Sequence, residues 1–207
     1  MSRESLVETL SAALRGDASV PLSMARAAQV AGCSPMSMYR YFTDRDDLAA
    51  ALTRHIMRES RSRVDAGASW QDRVRAWMVT VYEQSRLYPQ VFDLAASGES
   101  PAWVLESVFL SGILKDAGLS QDDELADAVF LIGTTSLGQA MVRAAHRDLP
   151  LPSLYSVLGH LSSEDAREAA TLVPYFAAMG DRAIELIIDA TIGAVEAMVA
   201  RRPATTP

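Results

Sequence analysis

The sequence predicts an all-α protein with an N-terminal three-helix helix-turn-helix domain and a larger C-terminal helical bundle. Apolar residues recur at three- and four-residue steps along most of the chain, and no segment shows the alternation of a half-buried strand. Capping residues near the N-terminus mark two short helices joined by a tight turn. With 207 residues, 49% of them hydrophobic, the chain can fill one mid-sized core or two smaller ones.

The first two predicted helices are delimited by residues with strong local preferences. The first covers residues 4–15 and ends at Gly16. Ser23 caps the second helix, because its side-chain oxygen can accept a hydrogen bond from an unpaired N–H of the first turn. Gly32 ends that helix, since glycine readily adopts the left-handed conformation of a helix C-terminus.

A third, short helix is predicted over residues 35–41. Ser34 caps it, and Pro35 occupies its first position, where the missing N–H of proline costs nothing. Two helices with a tight turn at this spacing present a recognition helix to the major groove of DNA.

The fourth helix, 44–63, begins with an acidic variant of the capping box formed by Asp44 and Asp47. The sequence Asp-Ala-Gly-Ala-Ser at 65–69 then interrupts the helical periodicity. We therefore predict two domains, 1–63 and 64–207.

Further helices are predicted throughout the second domain: 70–87, 102–116, 122–147, one or two shorter helices within 153–180, and 181–201. The segment 102–116 is apolar almost all round, which predicts a helix buried in the middle of the bundle. Gly159 and Pro174 are expected to break the helical segment 153–180.

The helix-turn-helix segment closely resembles the DNA-binding segment of the TetR family of one-component transcriptional regulators. Seven residues keep that pattern: Ala28, Ala31, Gly32, Ser34, Tyr39, Phe42 and Leu48. The chain departs from it at Ala27, Cys33, Met36 and Arg45, where the family has a bulky aliphatic residue, valine, a small residue and lysine. The resemblance is strong from residue 4 to about residue 58 and is hardly detectable beyond.

The resemblance implies a DNA-contacting surface around the third helix. The predicted contacts are Ser23, Arg26, Ser34, Pro35, Met36, Ser37, Tyr39, Arg40, Tyr41 and Arg45. Hydroxyl groups and arginines at these positions can bind phosphates or a guanine edge, and the start of the helix can meet thymine methyl groups. Tyr39 has an alternative role as an apolar plug between helices. Cys33 is read as a small apolar filler, with a redox-sensing thiol as the alternative.

Charge is distributed unevenly between the two parts. Residues 1–65 hold nine arginines and eight acidic residues, a net charge of +1, whereas residues 66–207 hold ten basic and eighteen acidic residues, a net charge of −8. A nearly neutral N-terminal part predicts modest non-specific affinity for DNA. The acidic C-terminal part is explained by solvated helix faces, with a cation site as the alternative.

The resemblance implies that the second domain binds a small, hydrophobic or aromatic effector. Candidate lining residues are Trp77, Met78, Tyr82, Phe92, Trp103, Phe109, Phe130, Thr134, Gln139, Arg143 and His146. Inward helix faces have the same pattern whether they pack together or surround a ligand, so a filled core stays open as the alternative. The polar members need a partner, which either a ligand or water can supply.

Rows of small and apolar residues suggest close helix packing in the second domain. They are Gly133, Leu137, Ala140 and Ala144 in one helix, and Ile187, Ala190, Thr191, Ala194, Ala197 and Met198 in the last. Such rows fit packing within one chain as well as between two chains. The family resemblance favours a homodimer through the helices near 122–147 and 181–201.

Several functional classes are excluded by the sequence. The chain shows no membrane-span-length apolar run, signal peptide, glycine-rich phosphate loop or His-Glu-x-x-His motif, and Cys33 is its only cysteine. We expect a cytoplasmic protein that is not an enzyme and needs no metal or cofactor. The predicted function is that of a repressor released from a two-fold symmetric DNA operator by its effector, through a shift of the 44–63 helix. The alternative is a dimeric small-molecule-binding protein with weakened or lost DNA binding.

Overall fold

The computed structural model of the protein describes residues 2–15, 22–89, 91–92, 102–120, 122–146 and 158–201, and the regular structure in these ranges is helical. Eight helices have described bounds: α1 (Arg3–Leu14), α2 (Met24–Val30), α3 (Pro35–Met38), α4 (Arg45–Ser62), α5 (Trp70–Leu87), α6 (Ala102–Asp116), α7 (Asp122–His146) and α8 (Ser163–Ala200). The all-α prediction is confirmed. Within the described ranges, no helix has the length and apolar character needed to cross a membrane.

The predicted caps of the N-terminal helices are present. The side chains of Ser23, Ser34 and Asp44 accept hydrogen bonds from the backbone three residues on, at 3.2, 3.2 and 2.8 Å. Gly32, in the turn between α2 and α3, has a φ of +65°, a conformation that residues with a side chain rarely adopt. These local preferences fix where each helix begins and how sharply the chain turns before α3.

The recognition helix is shorter than the sequence predicts. The α-helix ends at Met38 rather than at Tyr41. The next residues continue as tight turns, in which the Arg40 N–H donates to the Ser37 carbonyl and the Tyr41 N–H to the Met38 carbonyl. Such three-residue steps are common at helix ends, where the backbone tightens.

Two apolar cores organise the molecule. The N-terminal core is formed mainly by α1, α2, α3 and the first part of α4, and its largest buried side chains are Leu6, Leu10, Met38, Phe42, Leu48, Leu52 and Ile56. The C-terminal core lies among α5, α6, α7 and α8, and its buried residues include Trp77, Met78, Leu110, Ile113, Leu114, Ile132, Ile188 and Val195.

Two elements cross between these cores. Met57, near the end of α4, belongs to the C-terminal core. In the other direction, Tyr88 and Val91, just beyond α5, are buried in the N-terminal core, where the Ser11 hydroxyl donates to the Tyr88 hydroxyl at 3.3 Å. The predicted boundary at residue 63 is therefore spanned by apolar packing from both sides.

Two predictions about the C-terminal helices are wrong. Helix α6 is not buried on every side, because Val104, Leu105 and Val108 are exposed while its opposite face fills the core. Helix α8 runs unbroken from Ser163 to Ala200, where the sequence predicts an interruption near Pro174 and a separate last helix. An internal proline removes one backbone hydrogen bond but does not have to end a helix.

Candidate nucleic-acid interface

The short helix α3 turns one face inward and the other outward. Met38 is fully buried in the N-terminal core, whereas Met36 is 76% exposed and Tyr39 is 54% exposed. Pro35 and Arg40 are exposed beside them. Tyr39 is therefore no apolar plug between helices. The outward face is available to a partner outside the chain.

Hydroxyl groups cluster at the start of α3. The Ser34 Oγ atom accepts from the Ser37 N–H at 3.2 Å and lies 2.9 Å from the Ser37 Oγ atom. At the start of the preceding helix, the partly buried Ser23 caps α2, and the exposed Arg26 donates to Gln29 at 2.7 Å. Hydroxyl and guanidinium groups of this kind are the usual donors to phosphate oxygens.

The remaining predicted DNA contacts lie just after α3. Tyr41 is partly buried against the N-terminal core. Arg45 is exposed and forms a 3.3 Å ion pair with its neighbour Asp46, which is also exposed. A pair this accessible costs little to exchange for a phosphate. Cys33 is partly buried and packs against the same core, which agrees with its reading as an apolar filler.

An ion pair between Arg3 and Asp47, which the sequence analysis did not predict, supports this surface from its inner side. We call it the Arg3–Asp47 clamp. Two guanidinium nitrogens of Arg3 donate to the two carboxylate oxygens of Asp47, at 3.2 and 2.5 Å, and one of them also donates to the Tyr41 carbonyl. The Arg3 guanidinium lies 4.7 Å from the centre of the Phe42 ring. The clamp thus ties α1 to the turn that follows the recognition helix.

Asp47 also accepts hydrogen bonds from the backbone and side chain of Thr43, at 3.0 and 3.2 Å. The hydrogen bond from Arg3 is the main reason that the pKa of Asp47 falls to about 2 from its usual 3.8, so the carboxylate is charged at neutral pH. The predicted capping box is thus altered, because Asp47 contacts Thr43 and Arg3. The spacing of Asp44 and Asp47 signalled a helix start but could not reveal Arg3, which is distant in sequence.

The predicted effector residues separate into three groups. Trp77 and Met78 are buried in the C-terminal core, Tyr82, Phe92 and Phe109 are partly buried against it, and Gln139 is partly buried on α7. Phe130 and Thr134 lie on an outward face of α7, with Phe130 65% exposed, so the structure does not bring them to this group. The side chains of Trp103, Arg143 and His146 lie outside the described residues.

Two buried polar side chains, one on α6 and one on α5, were not predicted as site residues. Glu106 on α6 accepts a hydrogen bond from the Trp77 indole at 2.9 Å, and its other oxygen lies 3.5 Å from Arg61 of α4. Burial raises the pKa of Glu106 above its usual value, although the Trp77 hydrogen bond and the Arg61 charge act in the opposite direction. The amide oxygen of the buried Gln84 has no hydrogen-bond partner among the described residues. Polar residues within apolar helical patterns were the signal that could have identified them.

The predicted dimerisation rows divide between buried and exposed positions, and Leu137 is partly buried. Gly133, Ala140 and Thr191 are buried within the chain, and Ile187 and Met198 are partly buried, because these positions face the chain's own core. Ala144 has no described side chain. The other predicted positions of the last row, Ala190, Ala194 and Ala197, are exposed, and Phe130 on α7 and Leu186 and Gly193 on α8 are exposed beside them. In the described part of the chain, no group of three or more His, Cys, Asp or Glu residues is placed to hold a metal ion.

Comparison with known proteins connects this architecture to regulators of transcription. No protein-family model matches the chain. An HTH-type transcriptional regulator of Haemophilus influenzae is 42% identical over 55 residues, which cover 23% of this chain and only 27% of that protein.

Solved structures match over nearly the whole length of the chain. Apo ActR of Streptomyces coelicolor has a TM-score of 0.76 at 18% identity, covering 97% of each chain. ActR has also been solved in complex with actinorhodin, at a TM-score of 0.74 and 18% identity over 95% of this chain and 96% of that one. BioQ with its double-stranded DNA operator has a TM-score of 0.60 at 17% identity, over 93% of this chain and 99% of that one. Identity this low establishes a shared fold.

Proposed function

We propose that this chain, which has the fold of the TetR-family regulators, belongs to that family and is a DNA-binding regulator of transcription. The observation that carries the proposal is the outward face of α3, where the exposed Met36 and Tyr39 flank a helix anchored by the buried Met38. A capped helix held this way can enter a major groove without disturbing its own core. The sequence resemblance in the same segment and the operator complex of BioQ support this function.

DNA binding by such a module requires two copies. The exposed apolar row of α8, with Leu186, Ala190 and Gly193, and the exposed Phe130 of α7 form a surface suited to a two-fold partner. Small residues in this row allow two helix backbones to approach closely and to interlock as four helices. A homodimer through α7 and α8 would present two recognition helices to two half-sites of a symmetric operator.

A small, hydrophobic effector would bind in the C-terminal bundle. Large apolar side chains form the described core there, and the amide oxygen of Gln84, which is buried on the last turn of α5, lacks a hydrogen-bond partner among the described residues. A buried polar atom of this kind favours a site that a ligand can complete. ActR, which shares the fold, has been solved with actinorhodin.

The regulator would act as a repressor that its effector releases from DNA. Helix α4 carries the coupling, because Leu52 and Ile56 lie in the N-terminal core while Met57 lies in the C-terminal core. A change in the bundle would rotate α4 and change the separation of the two recognition helices. Coupling of this kind is typically about 1–3 kcal/mol and is reciprocal, so operator DNA would weaken effector binding by the same factor. No enzymatic activity is part of this proposal.

The test is selection of binding sites from random DNA duplexes by the wild-type protein, followed by titration of the selected duplex at several salt concentrations. We expect a two-fold symmetric site, with log affinity falling linearly with log salt by about 0.9 per phosphate contact. The double variant Tyr39→Ala/Arg40→Ala should lose this binding. Arg167→Ala, which removes an exposed arginine near the start of α8 and outside its apolar row, is the control and should bind like wild type.

Two outcomes would contradict the proposal. A folded dimer that selects no duplex would favour the alternative of a small-molecule-binding protein without DNA binding. Equal affinity of the wild type and the Tyr39→Ala/Arg40→Ala variant would show that α3 is not the reading surface.

A further inference from the structure

Three side chains from three helices meet where α4 joins the C-terminal bundle. Glu106 of α6 lies between Arg61 in the last turn of α4 and Trp77 of α5. One carboxylate oxygen lies 3.5 Å from the Arg61 Nη1 atom, at ion-pair distance but without hydrogen-bond geometry, and the other accepts from the Trp77 indole at 2.9 Å. We call this group the Arg61–Glu106–Trp77 bridge.

The bridge is shielded from water. The side chain of Glu106 is 4% exposed, that of Arg61 is 26% exposed, and Trp77 is buried. A buried carboxylate that loses its cation keeps the full cost of desolvation, whereas an exposed one is resolvated. The end of α4 therefore cannot move away from α6 without leaving an unpaired buried charge. This makes the position of α4 sensitive to the state of one carboxylate.

Movement at this end of α4 is transmitted to the DNA-facing end. The 18 residues of α4 form a continuous rod of roughly 27 Å. Leu52 and Ile56, in the middle of this rod, are fully buried in the N-terminal core. At the other end, the cap residue Asp44 follows directly on the turn after the recognition helix. A rotation of the rod about its C-terminal end would thus carry the whole N-terminal unit.

We propose that the Arg61–Glu106–Trp77 bridge sets the orientation of α4 on the C-terminal bundle and thereby the separation of the two recognition helices. Glu106 and Arg61 are positioning residues in this scheme, and neither contacts DNA. The inference rests on the proposed regulatory function. It assigns the regulation of that function to one buried ion pair at the junction of α4, α5 and α6.

A second ion pair at the same junction provides a matched control. Arg63, immediately after α4, lies 3.6 Å from Glu83 of α5. Both side chains are about half exposed, at 45% and 51%. An exposed pair is screened by water and salt and contributes little to position. It joins the end of α4 to α5 only, without α6 and without a buried charge.

The experiment compares Glu106→Gln with Glu83→Gln in the full-length protein. Glutamine at 106 can still accept from the Trp77 indole, so the variant removes the charge and keeps the hydrogen bond. The probes are the duplex selected by the wild-type protein and two derivatives whose half-sites are one base pair closer or farther apart. Affinity for each duplex and the midpoint of thermal unfolding are measured for every variant.

The wild type and Glu83→Gln should prefer the selected spacing over the altered ones. Glu106→Gln should lose that preference by a factor of about five or more, the lower range of typical coupling between sites. A purely structural role would lower the unfolding midpoint, or weaken binding to all three duplexes alike, without changing the preference. The Arg61→Gln/Glu106→Gln double variant should match Glu106→Gln, because both changes break the same interaction.

The outcomes separate the two proposals. A wild-type protein that selects no duplex overturns the proposed function and the bridge with it. A wild type that discriminates between spacings, together with a Glu106→Gln variant that discriminates equally well, overturns the role of the bridge and leaves the proposed function standing. If the double variant does not fold, Glu106→Gln alone decides the question, because the Arg61 side chain that it leaves without a carboxylate is 26% exposed and can be hydrated.

Discussion

The two ends of α4 are held by acidic residues in opposite environments. At the N-terminal end, Asp47 is partly exposed, receives two hydrogen bonds from Arg3, and has its pKa lowered to about 2. At the C-terminal end, Glu106 is buried, and burial raises its pKa above the usual value. Hydrogen-bond donors stabilise the anionic form of Asp47, whereas burial destabilises the anionic form of Glu106.

This difference separates a fixed attachment from an adjustable one. The Arg3–Asp47 clamp has several donors, and its carboxylate is charged at neutral pH because the pKa of Asp47 is lowered to about 2. The Glu106 end depends on one indole hydrogen bond and one ion pair of 3.5 Å. In a regulator, the DNA-reading unit has to stay rigid while its orientation on the bundle changes. The two ends of α4 are suited to these two tasks.

Of the two ends of α4, the buried C-terminal end should give the larger effect when its contacts are broken. Arg61→Gln should lower the free energy of unfolding at pH 7 by about 3 kcal/mol, because it leaves the Glu106 carboxylate buried without a cation. Chemical denaturation monitored by circular dichroism measures this change. The control Arg63→Gln breaks an exposed pair and should cost no more than about 1 kcal/mol. If both variants lost the same free energy of unfolding, burial of the Arg61–Glu106 pair would not account for its contribution to stability.

Breaking the Arg3–Asp47 clamp at the N-terminal end of α4 should lower the stability by a smaller amount. Arg3→Gln should cost about 1.5 kcal/mol, because the hydrogen bonds that it removes are made to a charged carboxylate but remain partly open to water. Its control is Arg58→Gln, which removes an exposed 3.4 Å pair with Glu4 and should cost less than about 1 kcal/mol. A loss in Arg3→Gln no greater than in the control would show that the clamp does not hold α1 to the turn after α3.

The pH dependence of the two ends should be opposite in sign. The stability that Asp47 contributes is fully present above its unfolded pKa of 3.8 and is lost as the pH falls through about 2, so the gap between the wild type and Arg3→Gln should close over that window. The raised pKa of Glu106 has the reverse effect. Its anion costs stability as the pH rises from 4.5 through the raised value.

Denaturation series from pH 2 to pH 7 can check both signs. Relative to wild type, Glu106→Gln should gain stability as the pH rises out of the acidic range, since glutamine has no charge to bury. A variant whose relative stability stays constant across this range would show that the Glu106 carboxyl does not change its protonation state there.

The same contrast explains what could be predicted from the sequence. In the N-terminal unit, the caps Ser23, Ser34 and Asp44 and the turn at Gly32 act through neighbours within three or four residues, so local pattern located them. The clamp between Arg3 and Asp47 joins residues 44 apart, and no local pattern indicates it.

In the C-terminal bundle, most apolar helix faces were recognised but not their partners. The small residues Gly133 and Ala140 form a row that fits either an internal or an external contact, and the structure shows that they face inward. Glu106 is a polar residue within an apolar helical pattern, but that pattern does not reveal its contacts with Arg61 and Trp77, which lie on other helices. Helix periodicity identifies which face is apolar, while tertiary packing decides what covers it.

The smallest effect on stability should come from the outward face of α3. Met36→Ala should change the free energy of unfolding by no more than about 0.5 kcal/mol, because this side chain is 76% exposed and touches little of the core. Its affinity for the selected duplex should nonetheless change, and the preferred base at the contacted position should relax. Met38→Ala is the contrasting variant, since truncation of this buried side chain should cost about 2–5 kcal/mol. Unchanged DNA selection by Met36→Ala would remove Met36 from the reading surface.

In the proposed regulator, two copies of α3 contact the same DNA duplex. Hydroxyl-radical footprinting of the wild-type protein on its selected duplex can detect both contacts in one measurement. We expect two protected half-sites related by two-fold symmetry, with centres separated by one or more turns of duplex, about 34–36 Å each. Protection of a single asymmetric patch, or no protection at protein concentrations where the dimer is intact, would contradict it.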